Sequence, residues 1–255
     1  MKFTLKALGL AVVATVSTVT LADEGSSLPY GLEFSGSAAL TTDYRFRGMT
    51  QTESDPAIQA GFQLSHTSGF YAGVWGSNVS FAGDDDTHIE LDPYIGYSTT
   101  IESLGSKPII DVGVYYYAYP SSSDLNFVEY YAKLGFDGVL AEGDNITTAV
   151  NYTNDYLALD EDAWYFNVGY SVPFGASGFG GVASVGYTTA DNFDFGGGND
   201  DYWDWKAGVN YSFASIDGLS AELAAVGTDI DTKGLPHATK RGVETGAVFT
   251  IAKSF

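Results

Sequence analysis

The chain has 255 residues, with 11 lysines and arginines against 32 acidic residues, a net charge of −21 and no cysteine. Such acidity repels nucleic acid and anionic surfaces, and the missing thiols exclude disulfide scaffolds, thiol catalysis and cysteine-ligated metals. With 45% hydrophobic and 15% aromatic residues it is not a disordered acidic chain.

Residues 1–22 read as a secretory signal. Lys2 and Lys6 supply the positive start, "ALGLAVVATVSTVTLA" the apolar stretch, and Thr20-Leu21-Ala22 a small-residue cleavage site before Asp23. The run is too short and too rich in Thr, Ser and Ala for a spanning helix, which needs about 20 apolar residues. The expected division is a cleaved leader, 1–22, and one domain, 23–255.

From Leu32 onward apolar and polar residues alternate. The first segment, 32–46, puts Leu32, Phe34, Ala38, Leu40, Tyr44 and Phe46 on one parity and Glu33, Ser35, Ser37, Asp43 and Arg45 on the other. Similar segments follow at 57–66, 70–79, 87–99, 108–119, 126–136, 146–153, 163–172, 182–189, 202–213, 219–228 and 243–255, separated by Gly, Asp, Asn, Ser and Pro. No segment after the leader carries a helical period, so the chain reads as all-β and antiparallel. Pro93 interrupts the fourth segment, which predicts a bulge there or a later strand start.

A soluble barrel or sandwich would turn the apolar parity inward and a membrane barrel would turn it outward. Several segments reach the roughly 9–11 residues that a tilted transmembrane strand needs. Aromatic residues of the apolar parity gather near segment ends: Phe34 with Tyr44 and Phe46, Trp164 with Tyr170, Trp203 and Trp205 with Tyr211 and Phe213. This is the pattern of two interfacial girdles. The fold predicted is a transmembrane antiparallel up-and-down β-barrel of about 12 strands in the outer membrane, facing lipid and lipopolysaccharide. Its even strand number places both termini in the periplasm and the acidic loops outside. The C-terminal "AVFTIAKSF", with Phe249, Ile251 and Phe255 on one parity, resembles the signature read by the barrel-assembly machinery, although Lys253 departs from it.

Two blocks, "TTDYRFRGMTQTESDPAIQAGF" and "GFYAGVWGSNV", within residues 41–79, resemble the TorF family of porin-like proteins of the proteobacterial outer membrane. The resemblance implies a small β-barrel with a porin-like role. It carries over no catalytic residues and no settled substrate.

The polar parity supplies the candidate pore-lining residues. Asp43, Arg45 and Arg47 close the first segment, Glu90 and Asp92 lie on the fourth, and Asp111 on the fifth. Glu129 and Lys133 lie on the sixth, and Asp204 and Lys206 on the tenth. With Glu33, Glu222 and Glu244 added, acids outnumber bases, so a through-pore would favour cations. The arginines suit a small anionic group or simply pair with Asp43, Glu90 or Asp92 across the lumen.

Tyr94, Tyr115, Tyr117, Tyr131 and Tyr165 share the same parity, as do Tyr71, Trp75 and Tyr119. They offer either a stacking track for flat solutes or the filling of a narrow barrel. The loops "GDDDT" and "DFGGGNDD" are rich in the oxygen ligands of Ca²⁺ or Mg²⁺ but lack calcium-loop spacing. They read as solvated faces, and no metal or cofactor is expected.

His66, His88 and His237 fall in separate segments with no nucleophile or acid paired to them, which leaves enzyme chemistry the remote reading. The function expected is passive diffusion of small solutes or ions with a cation preference. The alternative is a plugged barrel presenting acidic loops.

Overall fold

The computed structural model describes residues 27–81 and 86–255. The expected leader, and Asp84 and Asp85 of the acidic loop "GDDDT", lie outside the described residues.

The architecture is one closed antiparallel barrel. Its strands in chain order are β1 (Leu32–Thr41), β2 (Ala57–His66), β3 (Phe70–Asn78), β4 (Ile89–Thr100), β5 (Ile109–Tyr117) and β6 (Phe127–Asp137). They continue with β7 (Asn145–Thr153), β8 (Ala163–Pro173), β9 (Phe179–Ala190), β10 (Asp201–Ser212), β11 (Leu219–Thr228) and β12 (Gly246–Ser254). Each strand pairs with its neighbours in sequence, and β12 closes the sheet on β1 through Thr250↔Thr41 to Ser254↔Ser37. Closure removes the edges and satisfies the backbone between strands, as lipid requires.

The apolar parity faces outward on all sides. Leu40, Ile58, Ile95, Phe166, Val185, Val209, Leu223 and Phe249 are exposed, while the polar parity is turned inward. A soluble barrel would do the reverse. Exterior aromatic pairs mark both ends of the wall: Tyr152 with Trp164 (4.6 Å) and Tyr187 with Trp203 (4.8 Å) at one end, Phe70 with Tyr97 (4.9 Å) and Phe179 with Tyr211 (4.7 Å) at the other. Amphipathic rings favour that position at a lipid–water boundary.

The second pair of aromatics is at the end where the connections between strands are mostly shorter, here the turn end. The first is at the end with the longer connections, here the loop end.

Two expectations are corrected. The first strand stops at Thr41 rather than Phe46. Beyond it a two-stranded hairpin, Arg45–Phe46 paired with Met49–Thr50, bends into the barrel and buries Tyr44 and Phe46 against the inner wall. The turn takes Arg47 at φ +46° and Gly48 at φ +79°, the left-handed backbone that a two-residue hairpin loop needs. Alternation continues through a hairpin with the same period, so parity placed these two rings on the lipid side. The Gly48 turn was the signal available in the sequence. The segment 243–255 likewise begins later, at Gly246, because residues before it form a short helix, α1 (His237–Val243), too brief to show a period.

Pro93 neither bulges nor ends β4. It pairs with Val74 of β3, and its missing N–H falls on the β5 side, where the ladder opens between Leu91↔Ala118 and Tyr94↔Tyr115 and then resumes in the same register.

Candidate functional site: the barrel interior

The interior divides into two tiers. At the loop end one continuous buried cluster joins the hairpin (Tyr44, Phe46, Met49) to wall aromatics (Trp75, Tyr115, Tyr117, Tyr202) and to loop residues folded over the mouth (Leu125, Tyr156, Leu157, Phe195). Phe46 packs on Tyr117 at 6.4 Å, Tyr44 edge-on to Trp75 at 5.4 Å, and Tyr156 against Phe193 and Phe195. The loop-end half is thus filled by the chain itself.

Arg47, at the hairpin tip, enters this cluster. Its Nη2 lies 2.5 Å from Glu129 Oε2, with both side chains at most 3% exposed. Its guanidinium stands over the Tyr165 ring at 4.1 Å and the Phe46 ring at 4.5 Å. Burial opposes its charge, but the Glu129 carboxylate together with the Tyr117, Tyr165 and Tyr156 phenols outweighs burial and raises the pKa, so Arg47 stays a cation. The other Glu129 oxygen accepts from Asn151 Nδ2 (2.7 Å) and Tyr117 Oη (3.2 Å).

Glu90, Asp92 and Asp204 are buried on the inner face as well. Tyr119 Oη donates to Glu90 Oε1 (3.3 Å) and Tyr165 Oη to Asp204 Oδ1 (3.4 Å).

Asp43 and Arg45 do not stand on a strand wall. They brace the hairpin from behind: Arg45 Nε bonds Asp43 at 2.5 Å, and its Nη atoms reach the carbonyls of Gly48 (3.0 Å), Gly242 (2.7 Å), Glu244 (3.2 Å) and Arg241 (3.0 Å). A cavity of about 320 Å³ opens beside them, where β1 leaves the wall, lined by Thr42, Asp43, Arg45, Arg241 and Glu244 among others. Glu244 follows α1, is exposed, and belongs to no interior strand face.

The turn-end tier is polar and less tightly covered. Asp111 stands opposite Lys133 in the β5–β6 register, and Lys206 Nζ lies 2.5 Å from Glu222. Tyr71 Oη bonds both Asp111 and Tyr131 Oη. Tyr94, Tyr115 and Tyr131 form a run with centroids 5.1 and 5.2 Å apart, and Lys133 Nζ lies 4.4 Å from the Tyr131 ring.

Gly96 and Gly113 let the phenols lie against the wall, because a Cβ at either would strike the Tyr131 hydroxyl. Tyr94, Tyr115, Tyr117 and Tyr131 thus pack on one another, with Tyr115 stacked on Tyr117 at 6.1 Å, and Tyr165 lies under the Arg47 guanidinium.

The remaining candidates lie elsewhere. His66 Nδ1 meets Ser68 Oγ at 2.7 Å and accepts from the Ser68 amide, a local turn contact. In "DFGGGNDD" Asp194 Oδ1 accepts from the Gly196 and Gly198 amides, closing the loop on itself.

Residues 23–255 match a family described as a bacterial protein of unknown function, Gcw_chp. The chain belongs to the Gcw_chp family. No curated protein sequence matches this Gcw_chp chain. Among solved structures its fold is similar to "NanC porin structure in rhombohedral crystal form", at TM-score 0.53 and 10% identity over 87% of this chain and 98% of that one. It is similar to a structure titled "Unveiling the Mechanism Behind the in-meso Crystallization of Membrane Proteins", at TM-score 0.50 and 10% identity over 87% and 83%. A channel titled "COG4313 outer membrane channel from Pseudomonas putida F1" aligns over 91% and 98% at 12% identity, with TM-score 0.44. The Gcw_chp fold is that of the outer-membrane β-barrels.

Proposed function

We propose that this protein is a porin-like channel of the outer membrane, with the loop end outside and both termini in the periplasm, passing small solutes or ions by diffusion. The observation that carries the reading is a lipid-facing wall around a charged interior. A barrel needing only to fill its core would gain nothing from Glu90, Asp92, Asp111, Glu129, Lys133, Asp204 and Lys206 on its inner face.

Buried acids exceed buried bases at the hairpin level, so the wall field favours cations. The resemblance to the TorF family and the porin title of a structural neighbour support the same reading. The partners it implies are lipid, lipopolysaccharide, small solutes and, through Phe255, the assembly machinery. Phe255 fits that role by packing on Phe62 at the wall's turn end (6.4 Å).

A second reading is favoured by the filled loop-end tier: a plugged barrel whose loops are the working surface. Reversal potential of the refolded protein in a planar bilayer under a KCl gradient separates the two. Discrete steps reversing toward the K⁺ potential support the channel; heat-modifiable barrel without current supports the plug.

A further inference from the structure

The seam between β1 and β12 is paired only from Thr41↔Thr250 to Ser37↔Ser254; beyond Thr41 the chain turns inward, while β12 extends to Gly246. The Thr42 amide reaches Phe249 O (2.9 Å) and the Phe249 amide reaches Thr42 Oγ1 (3.0 Å). Backbone groups along a strand point to alternate sides. The N–H and C=O of Ala247 therefore point the same way as those of Phe249, into the space from which β1 has turned away.

The cavity of about 320 Å³ beside Arg45 occupies that space. Thr42 shares the parity of Leu40, and Ala247 that of Phe249; all four are exposed, so the cavity opens on the lipid side of the wall at its loop end. Two of its lining groups stand ready for a ligand. Ser54 Oγ is buried without a hydrogen-bond partner. Arg241 is exposed, donates from Nη2 to Glu53 O at 3.2 Å, and among the described residues pairs with no carboxylate. Of the two acids in the lining, Asp43 is neutralised by Arg45 (2.5 Å) and Glu244 is exposed.

Charge sets this corner apart. The loop-end connections 79–88, 118–126, 154–162 and 191–200 hold acids and no Lys or Arg. The basic residues of the loop end, Arg45, Arg47, Lys233, Lys240 and Arg241, all fall in the hairpin or in the segment leading to β12. An anion held at the membrane surface is repelled by the rest of this rim and attracted here.

We propose that the seam cavity holds the phosphorylated sugar headgroup of an outer-leaflet glycolipid. The phosphate lies toward Arg241 and the Ala247 amide, since guanidinium suits phosphate. Glu244 accepts from sugar hydroxyls, and the acyl chains lie over Leu40, Ile58 and Phe249. The volume is at the small end of ligand pockets, about 300–1,000 Å³, enough for part of a headgroup. The proposal rests on the channel reading only for the loop end being outside.

The test reads binding without conduction. The refolded full chain, in detergent with EDTA to remove divalent ions that would bridge lipid phosphates to the acidic loops, is titrated with bisphosphorylated lipid A and followed by native mass spectrometry. Dephosphorylated lipid A should bind several-fold more weakly. Arg241→Gln should weaken binding of the bisphosphorylated form several-fold, and Lys253→Gln, at the turn end, should not. Ala247→Phe, an outward-facing change that covers the mouth, should weaken it too and remains informative if Arg241→Gln does not refold.

Equal binding by the wild type, Arg241→Gln and Ala247→Phe, or by the two forms of lipid A, would overturn the site. Displacement by an equal concentration of inorganic phosphate would overturn the lipid assignment in favour of a free anion. Lipid-specific binding without current in a planar bilayer would keep the site and remove the channel; current with equal binding by all variants would do the opposite.

Discussion

Breaking the Arg47–Glu129 pair should unseat the hairpin at a cost that a double-mutant cycle can measure. Both side chains are at most 3% exposed and 2.5 Å apart, so removing one partner strands a buried charge, worth about 3–5 kcal/mol. In Glu129→Gln the stranded group is the guanidinium, which keeps the Tyr165 and Phe46 faces but loses its ion-pair partner. In Arg47→Met it is Glu129, which keeps Asn151 and Tyr117 as donors, so this variant should lose less.

The double variant, Arg47→Met with Glu129→Gln, leaves no uncompensated charge and should recover about 2–3 kcal/mol relative to the sum of the singles, because apolar replacement of a buried pair is often near neutral. Equilibrium guanidinium unfolding in lipid vesicles gives the three differences. Additivity within about 0.5 kcal/mol would refute the claim that this pair locks the hairpin.

Arg45→Ala removes four bonds to the carbonyls of the hairpin and the α1 region. It should speed limited proteolysis within residues 42–56 at least several-fold while leaving strand content by circular dichroism unchanged. Gly113→Val should cost about 1–3 kcal/mol through overpacking and lower refolding yield, since any Cβ there strikes Tyr131; an unchanged yield would refute the seating of that phenol against the wall.

Asp144, in the turn before β7, would have its pKa raised by burial, but the Leu140, Ala141 and Val139 amides and the Tyr170 hydroxyl outweigh this and lower it. A lowered folded value gives stability that is complete above the ordinary Asp range, about 3.9, and lost as pH falls through the folded value. Asp144→Asn should therefore be less stable than wild type at neutral pH and converge on it in strong acid, as followed by unfolding midpoints across pH.

The wall was legible in the sequence because lipid and lumen impose a period of two that no other local force disturbs. Ala57–His66 and Leu219–Thr228 coincide with their alternating segments for this reason. The interior charges on β4, β5, β6 and β10 follow from the same parity.

What alternation conceals is where the chain leaves the wall. Residues 42–56 keep the wall's pattern while turning inward, since a hairpin shares its period, so Tyr44 and Phe46 read as lipid-facing. The pairing of Arg47 with Glu129 spans 82 positions and depends on that turn; nothing in local composition selects Glu129 over Glu90 or Asp92. The lids formed by Tyr156 and Phe195 are likewise fixed by contacts between loops distant in sequence.

The central claim, a channel narrowed by its own first loop, is tested most directly by comparing single-channel conductance of the wild type with a variant whose residues 44–51 are replaced by a short Gly-Ser linker. The account predicts several-fold larger steps from the shortened variant, with cation selectivity retained by Glu90, Asp92, Glu129 and Asp204. Equal conductance in both proteins, or silence from a correctly folded shortened barrel, would contradict it.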